Sequence, residues 1–197
     1  MKIAVARQIY NTQIKAYREQ KVALSKQKQE LEGKINATPN GKTVYANEAA
    51  ILELTIKAVD EKQTEYQDYM EKLLGQWNAK ANMVSSEQQS EAMKKYTEDL
   101  GKIMEVARRL MKGAVVPGTD EKKLMEYSTE LYQAAKNIGA MVKQREKEKY
   151  DSLWDEDEEE TEYEDPIEVA DNTEAFAAGP KVVDVADTIA SVSLPDN

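Results

Sequence analysis

The sequence predicts an all-α chain: elongated antiparallel helical hairpins, four helices in a bundle or coiled-coil-like arrangement, followed by a disordered acidic C-terminal tail. Three observations carry this expectation. Apolar residues recur at helical spacing through most of residues 1–154, and no stretch sustains the two-residue alternation of a half-buried strand. Clusters rich in Gly, Pro and Asn interrupt the pattern at 36–42 and 113–119. Charge is unevenly divided: residues 1–150 sum to +5 and residues 151–197 to −15, giving the net −10 of the whole chain.

The first helix is expected over residues 2–36. Ile3, Tyr10, Tyr17, Leu24 and Leu31 repeat every seven residues, and Ile14 and Ile35 fall on the companion seam. That seam also holds Arg7, Lys21 and Lys28, so it is only half apolar. Pro39, which has no amide hydrogen and restricts Thr38, ends the helix together with the turn-forming pair Asn40-Gly41.

The second helix is expected over 44–84. Tyr45, Ala49, Leu52, Ile56, Val59, Gln63, Tyr66, Met70, Leu73, Trp77, Lys80 and Val84 alternate spacings of four and three. Extending that register past Val84 meets mostly charged residues. The apolar ladder resumes half a turn away, at Met93, Tyr96, Leu100, Ile103, Ala107 and Leu110. The phase change, with Ser86 and Gln89 in capping-box spacing, predicts a break or sharp bend at 85–88 and a third helix over 87–112.

Gly113 suits the residue after a helix end. The fourth helix is expected over 120–154, with Leu124, Ser128, Leu131, Ala135, Ile138 and Val142 facing inward. Seven methionines, Met70, Met83, Met93, Met104, Met111, Met125 and Met141, lie on or beside these seams and read as adaptable core filler. From Asp155 to Asp165 nine of eleven residues are carboxylates, which repel one another and predict disorder over 155–197. Apolar residues after Pro166 are too sparse for a domain of their own but suffice for one or two docking motifs.

Composition narrows the chemistry. With no Cys and no His, disulfides, thiolate nucleophiles, His-based acid/base catalysis and Cys/His metal or haem ligation are excluded. Carboxylates are plentiful, yet the helical pattern places them on exposed positions rather than in the apolar pocket that acid/base work requires. No phosphate-cradling glycine loop, nucleophile elbow or Gly-centred calcium loop occurs. The expectation is a non-enzymatic chain with no cofactor, no metal and no small-molecule substrate.

What remains is recognition of protein. The half-filled seam nominates Arg7, Ile14, Lys21, Lys28 and Ile35 as a protein-binding face, and Trp154 joins them at the root of the tail. Residues 1–43 carry nine basic against three acidic groups, which raises nucleic-acid binding as a lesser alternative. The −15 tail would compete for that surface by folding back on the basic helix. The favoured reading is a cytoplasmic adaptor or chaperone whose acidic tail modulates access. The alternative is a structural or secreted subunit of a larger helical assembly, and the sequence is compatible with export that uses no cleaved signal. No stretch approaches the length of a membrane span.

Overall fold

The computed structural model describes residues 1–142, 148–154 and 162–192. Among these the chain is all-α. The elements are α1 (Ile3–Ala37), α2 (Gly41–Val44), α3 (Ala46–Met111), α4 (Gly118–Tyr127), α5 (Thr129–Met141), α6 (Pro166–Asn172) and α7 (Val185–Ala190). Extended pairing among the described residues is confined to two isolated bridges, Lys2 with Glu174 and Val115 with Lys149. Contacts divide the chain into two units: Met1–Val84 with the C-terminal segment from Glu164, and Ser85–Tyr163.

In the first unit α1 lies antiparallel to the Ala46–Val84 part of α3. The heptad residues Ile3, Tyr10, Tyr17, Leu24 and Leu31 are all buried, and Val59, Tyr66, Met70 and Leu73 face them from α3. Burying each large side chain of this kind contributes roughly 1.5–3 kcal/mol. The turn between the helices uses Asn40 at φ 57°, a left-handed conformation that Asn tolerates better than most residues.

Residues 85–88 form no turn: α3 runs through them as helix. No Gly or Pro is present there to break the backbone, and the capping-box spacing at Ser86 is not used as a helix start. The half-turn shift in apolar phase instead marks a change of packing partners, because the boundary between the two contact units falls between Val84 and Ser85.

The second unit has its own core of Ile103, Val106, Ala107, Leu110, Val116, Leu124, Ala135 and Trp154. The single fourth helix expected over 120–154 is two helices and an extended strand-like end. Ser128 adopts extended geometry, caps α5 by accepting from the Leu131 amide at 3.1 Å, and thereby separates α4 from α5. Further on, Val115 N–H donates to Glu148 O at 2.8 Å and Tyr150 N–H to Val115 O at 3.3 Å, so residues 148–150 are extended rather than helical. Asp120, wholly buried, anchors the next turn by accepting from Ser152 Oγ at 2.7 Å and Leu153 N–H at 3.2 Å.

Most of the methionines are not core filler. Met70 is buried, but Met83, Met93, Met104, Met125 and Met141 are exposed, and Met111 only packs against the second core. The tail differs most from expectation. Residues 155–161, the greater part of the carboxylate run, lie outside the described residues. Residues 164–192 carry α6 and α7 and pack against α1 and α3. They do so through hydrogen bonds to polar groups of the hairpin, the Arg7–Asp171 ion pair, and the apolar side chains of Ala175, Val185 and Ile189.

Candidate protein-binding groove

Seven-residue spacing places Tyr10 and Tyr17 on one face of α1, and three-residue spacing places Tyr66 and Tyr69 on one face of α3. The four rings interlock. Tyr10 lies 4.8 Å from Tyr69 and 5.6 Å from Tyr66 by centroid, and Tyr17 meets Tyr66 edge-on at 5.5 Å. The rings fill the seam between the helices.

Each hydroxyl donates to a main-chain carbonyl of the C-terminal segment. Tyr69 Oη donates to Ala177 O at 3.0 Å, Tyr10 Oη to Pro180 O at 2.7 Å, Tyr66 Oη to Lys181 O at 3.1 Å and Tyr17 Oη to Val183 O at 3.0 Å. Tyr66 Oη also accepts from Val183 N–H at 3.0 Å. Gln76 grips the backbone at both groups, donating to Glu174 O at 2.8 Å and accepting from Phe176 N–H at 2.9 Å. At the end of the groove, Ile3 N–H donates to Thr173 O and Ala175 N–H to Met1 O, at 2.9 and 3.0 Å. Burial raises the pKa of Tyr10, Tyr17 and Tyr69, with neighbouring tyrosines adding to the rise at Tyr10, so these hydroxyls are neutral donors at physiological pH.

The segment's side chains add a few specific contacts. Asp171 Oδ1 accepts from Arg7 at 3.1 Å and from Trp77 Nε1 at 2.6 Å, while the Arg7 guanidinium stacks 5.0 Å over the Trp77 ring. Thr188 Oγ1 lies 2.6 Å from Tyr17 Oη. Asp165 and Asp184 cap α6 and α7 by accepting from Ile167 and Ala186 N–H. At Gly179 the backbone passes so close to the hairpin that a Cβ would lie 2.0 Å from Tyr10 Oη. Beyond Ile189 the hairpin opens into a groove of about 610 Å³ between Leu24 and Leu31 on one side and Ile51 and Leu52 on the other.

The residues nominated from sequence are engaged within the chain. Arg7 pairs with Asp171, Lys21 with Asp60, and Lys28 with Glu53 at 3.6 Å. Ile14 packs against the first core, and Ile35 is half-buried near the hairpin turn. Trp154 belongs to the second unit, where it is buried and donates to Asp99 Oδ1 at 3.3 Å. Arg7 is thus the only nominated residue with a hydrogen bond to the C-terminal segment among the described contacts. The tyrosines were legible as seam residues, but their hydroxyls carried no signal of a partner so distant in the chain.

No group of three or more acidic residues is arranged to hold a metal among the described residues, and no described helix is long and apolar enough to cross a membrane. Comparison with family models, curated proteins and solved structures finds no match to this chain.

Proposed function

We propose that the chain is a non-enzymatic, protein-binding adaptor or chaperone whose α1/α3 groove accepts an extended polypeptide segment, with its own C-terminal segment governing access. One observation carries this reading: four tyrosine hydroxyls donate to four main-chain carbonyls of one non-helical stretch, residues 177–183. Carbonyls are common to every sequence, so recognition of this kind suits a surface that takes a polypeptide as such. The basic first helix gives less support to nucleic-acid binding, because Arg7, Lys21 and Lys28 are each paired with a carboxylate of the same chain.

A second reading, a subunit of a larger helical assembly, draws on Met93, Tyr96 and Met104, which are exposed along α3 in the second unit. Partner capture from the source cell's lysate separates the two, with the native chain beside its Gly179→Ala variant. That substitution is expected to unseat the segment, since its Cβ would lie 2.0 Å from Tyr10 Oη, and it changes no residue of the groove. The adaptor reading expects distinct proteins on the variant in excess of those on the native chain. Recovery of the chain alone, in multimers that grow with concentration, overturns it in favour of the assembly subunit.

A further inference from the structure

The preceding reading leaves open which segments the groove accepts, and the seated segment states the rule. We infer that the groove selects a partner protein's segment that has glycine where Gly179 now sits and a carboxylate eight residues before it, the chain's own segment being the intramolecular copy of that ligand. The inference rests on the adaptor reading and specifies its ligand.

Each part of the rule has its own physical cause. Ala, the smallest alternative to Gly at the crossing point, would put its Cβ 2.0 Å from Tyr10 Oη and 2.5 Å from Cζ of the same ring. That ring is buried and packed against Tyr66 and Tyr69, so making room for a Cβ means moving a ring that both neighbours contact. Counted from the glycine, the carbonyls read by Tyr69, Tyr10, Tyr66 and Tyr17 stand at −2, +1, +2 and +4. At those positions the tyrosines read the backbone rather than the side chain, with +4 also supplying its N–H to Tyr66 Oη. The carboxylate at −8 meets Arg7 and the Trp77 indole N–H together, a cation and a directed donor on one oxygen. A hydroxyl at +9, supplied here by Thr188, completes the contact at Tyr17.

The own segment is suited to give way. It reaches the hairpin after the separate Ser85–Tyr163 unit and the carboxylate run that begins at Asp155. Because the segment belongs to the same chain, a partner's segment competes with an intramolecular ligand and must bind tightly enough to displace it.

The test is fluorescence anisotropy of a labelled peptide of residues 164–192 added to the full-length Gly179→Ala chain. Circular dichroism first confirms that this chain is helical. Saturable binding is expected, weakened about tenfold or more when the peptide carries Gly179→Ala, and measurably when it carries Asp171→Asn. The native chain should bind the same peptide more weakly than the variant, because its groove is occupied. A second host, Tyr10→Ala in the Gly179→Ala chain, should bind the Gly179→Ala peptide better than the first host does. If the Gly179→Ala chain loses helix, a full-length chain carrying Asp171→Ala and Thr188→Val replaces it as host.

Equal binding of the two peptides overturns the glycine rule and leaves the adaptor reading to the lysate capture. Absence of peptide binding to every helical host also overturns the inference. Native chains that dimerise with concentration, and lose the dimer with Gly179→Ala, assign the groove to a second copy instead and likewise overturn it. Partners captured by the opened chain but lacking the glycine and carboxylate spacing overturn the rule while the adaptor reading stands.

Discussion

Tyr10 and Gly179 share one small volume: the Tyr10 hydroxyl that donates to Pro180 O at 2.7 Å stands where a side chain on residue 179 would begin. The hydrogen bond exists because that side chain is missing. The contact joins the first helix to a segment almost the length of the chain away, and it sets the register of the carbonyls on either side.

The tyrosines should contribute unequally. Tyr66→Phe removes a donor to Lys181 O and an acceptor for Val183 N–H, whereas Tyr69→Phe removes a single bond to Ala177 O. Loss of one such bond costs about 0.5–1.5 kcal/mol, and loss of two roughly double. Denaturation in a Trp154→Phe background, where Trp77 alone reports on the first unit, should rank Tyr66→Phe as the more damaging. Equal effects would show that the second bond contributes nothing.

Alkali should release the segment. Tyr10, Tyr17 and Tyr69 have pKa values raised above 10 by burial, so the undocked state loses its protons first. Their contribution to docking is therefore fully present below about pH 10 and is lost as pH rises through the docked values. Tyrosinate absorbance and Trp77 fluorescence should change together above pH 10. The Gly179→Ala chain should show the absorbance change at lower pH, since its hydroxyls are already uncovered.

Glycines at two helical positions should respond oppositely to alanine. A Cβ at Gly139 would lie 2.1 Å from Leu110 O, so Gly139→Ala forces α5 away from α3 in the second unit and should cost at least ~1–3 kcal/mol. Gly75 has open space around its Cβ position, and Gly75→Ala should stabilise by roughly 0.5–1 kcal/mol through helix propensity alone. Thermal melts of the two variants beside the native chain check both signs.

Asp120 should hold Trp154 in place. Asp120→Ala leaves Ser152 Oγ and the Leu153 amide without their acceptor, at a cost of about 1–3 kcal/mol. In a Trp77→Phe background, Trp154 emission should shift to the red as the indole reaches water. Asp120→Asn keeps one carbonyl oxygen and should fall between native and alanine. An unchanged spectrum in Asp120→Ala would assign the burial of Trp154 to the apolar core alone.

The hairpin was legible because its information is periodic and local. Ile3, Tyr10, Tyr17, Leu24 and Leu31 follow one heptad position, and each is buried as that position requires. The break after α4 is legible in kind, since Ser128 is a strong capping residue, but the same residue fits an inward ladder position of a continuous helix. The C-terminal segment was hidden for a different reason. Its carboxylate run dominates the composition, while the features that dock it are the caps Asp165 and Asp184, one glycine, and main-chain carbonyls. A carbonyl has no letter in a sequence. Arg7 was singled out as a misfit on an apolar seam, and its partner Asp171 lies on the segment expected to be disordered.

The groove also has a history within each round of synthesis. Its two helical walls are complete at Val84, and the glycine that seats the segment follows 95 residues later. At about 5–20 residues per second, roughly 5–20 seconds pass before the ribosome supplies it. During that interval the part of the chain that forms the groove has no C-terminal segment to cover its tyrosine hydroxyls.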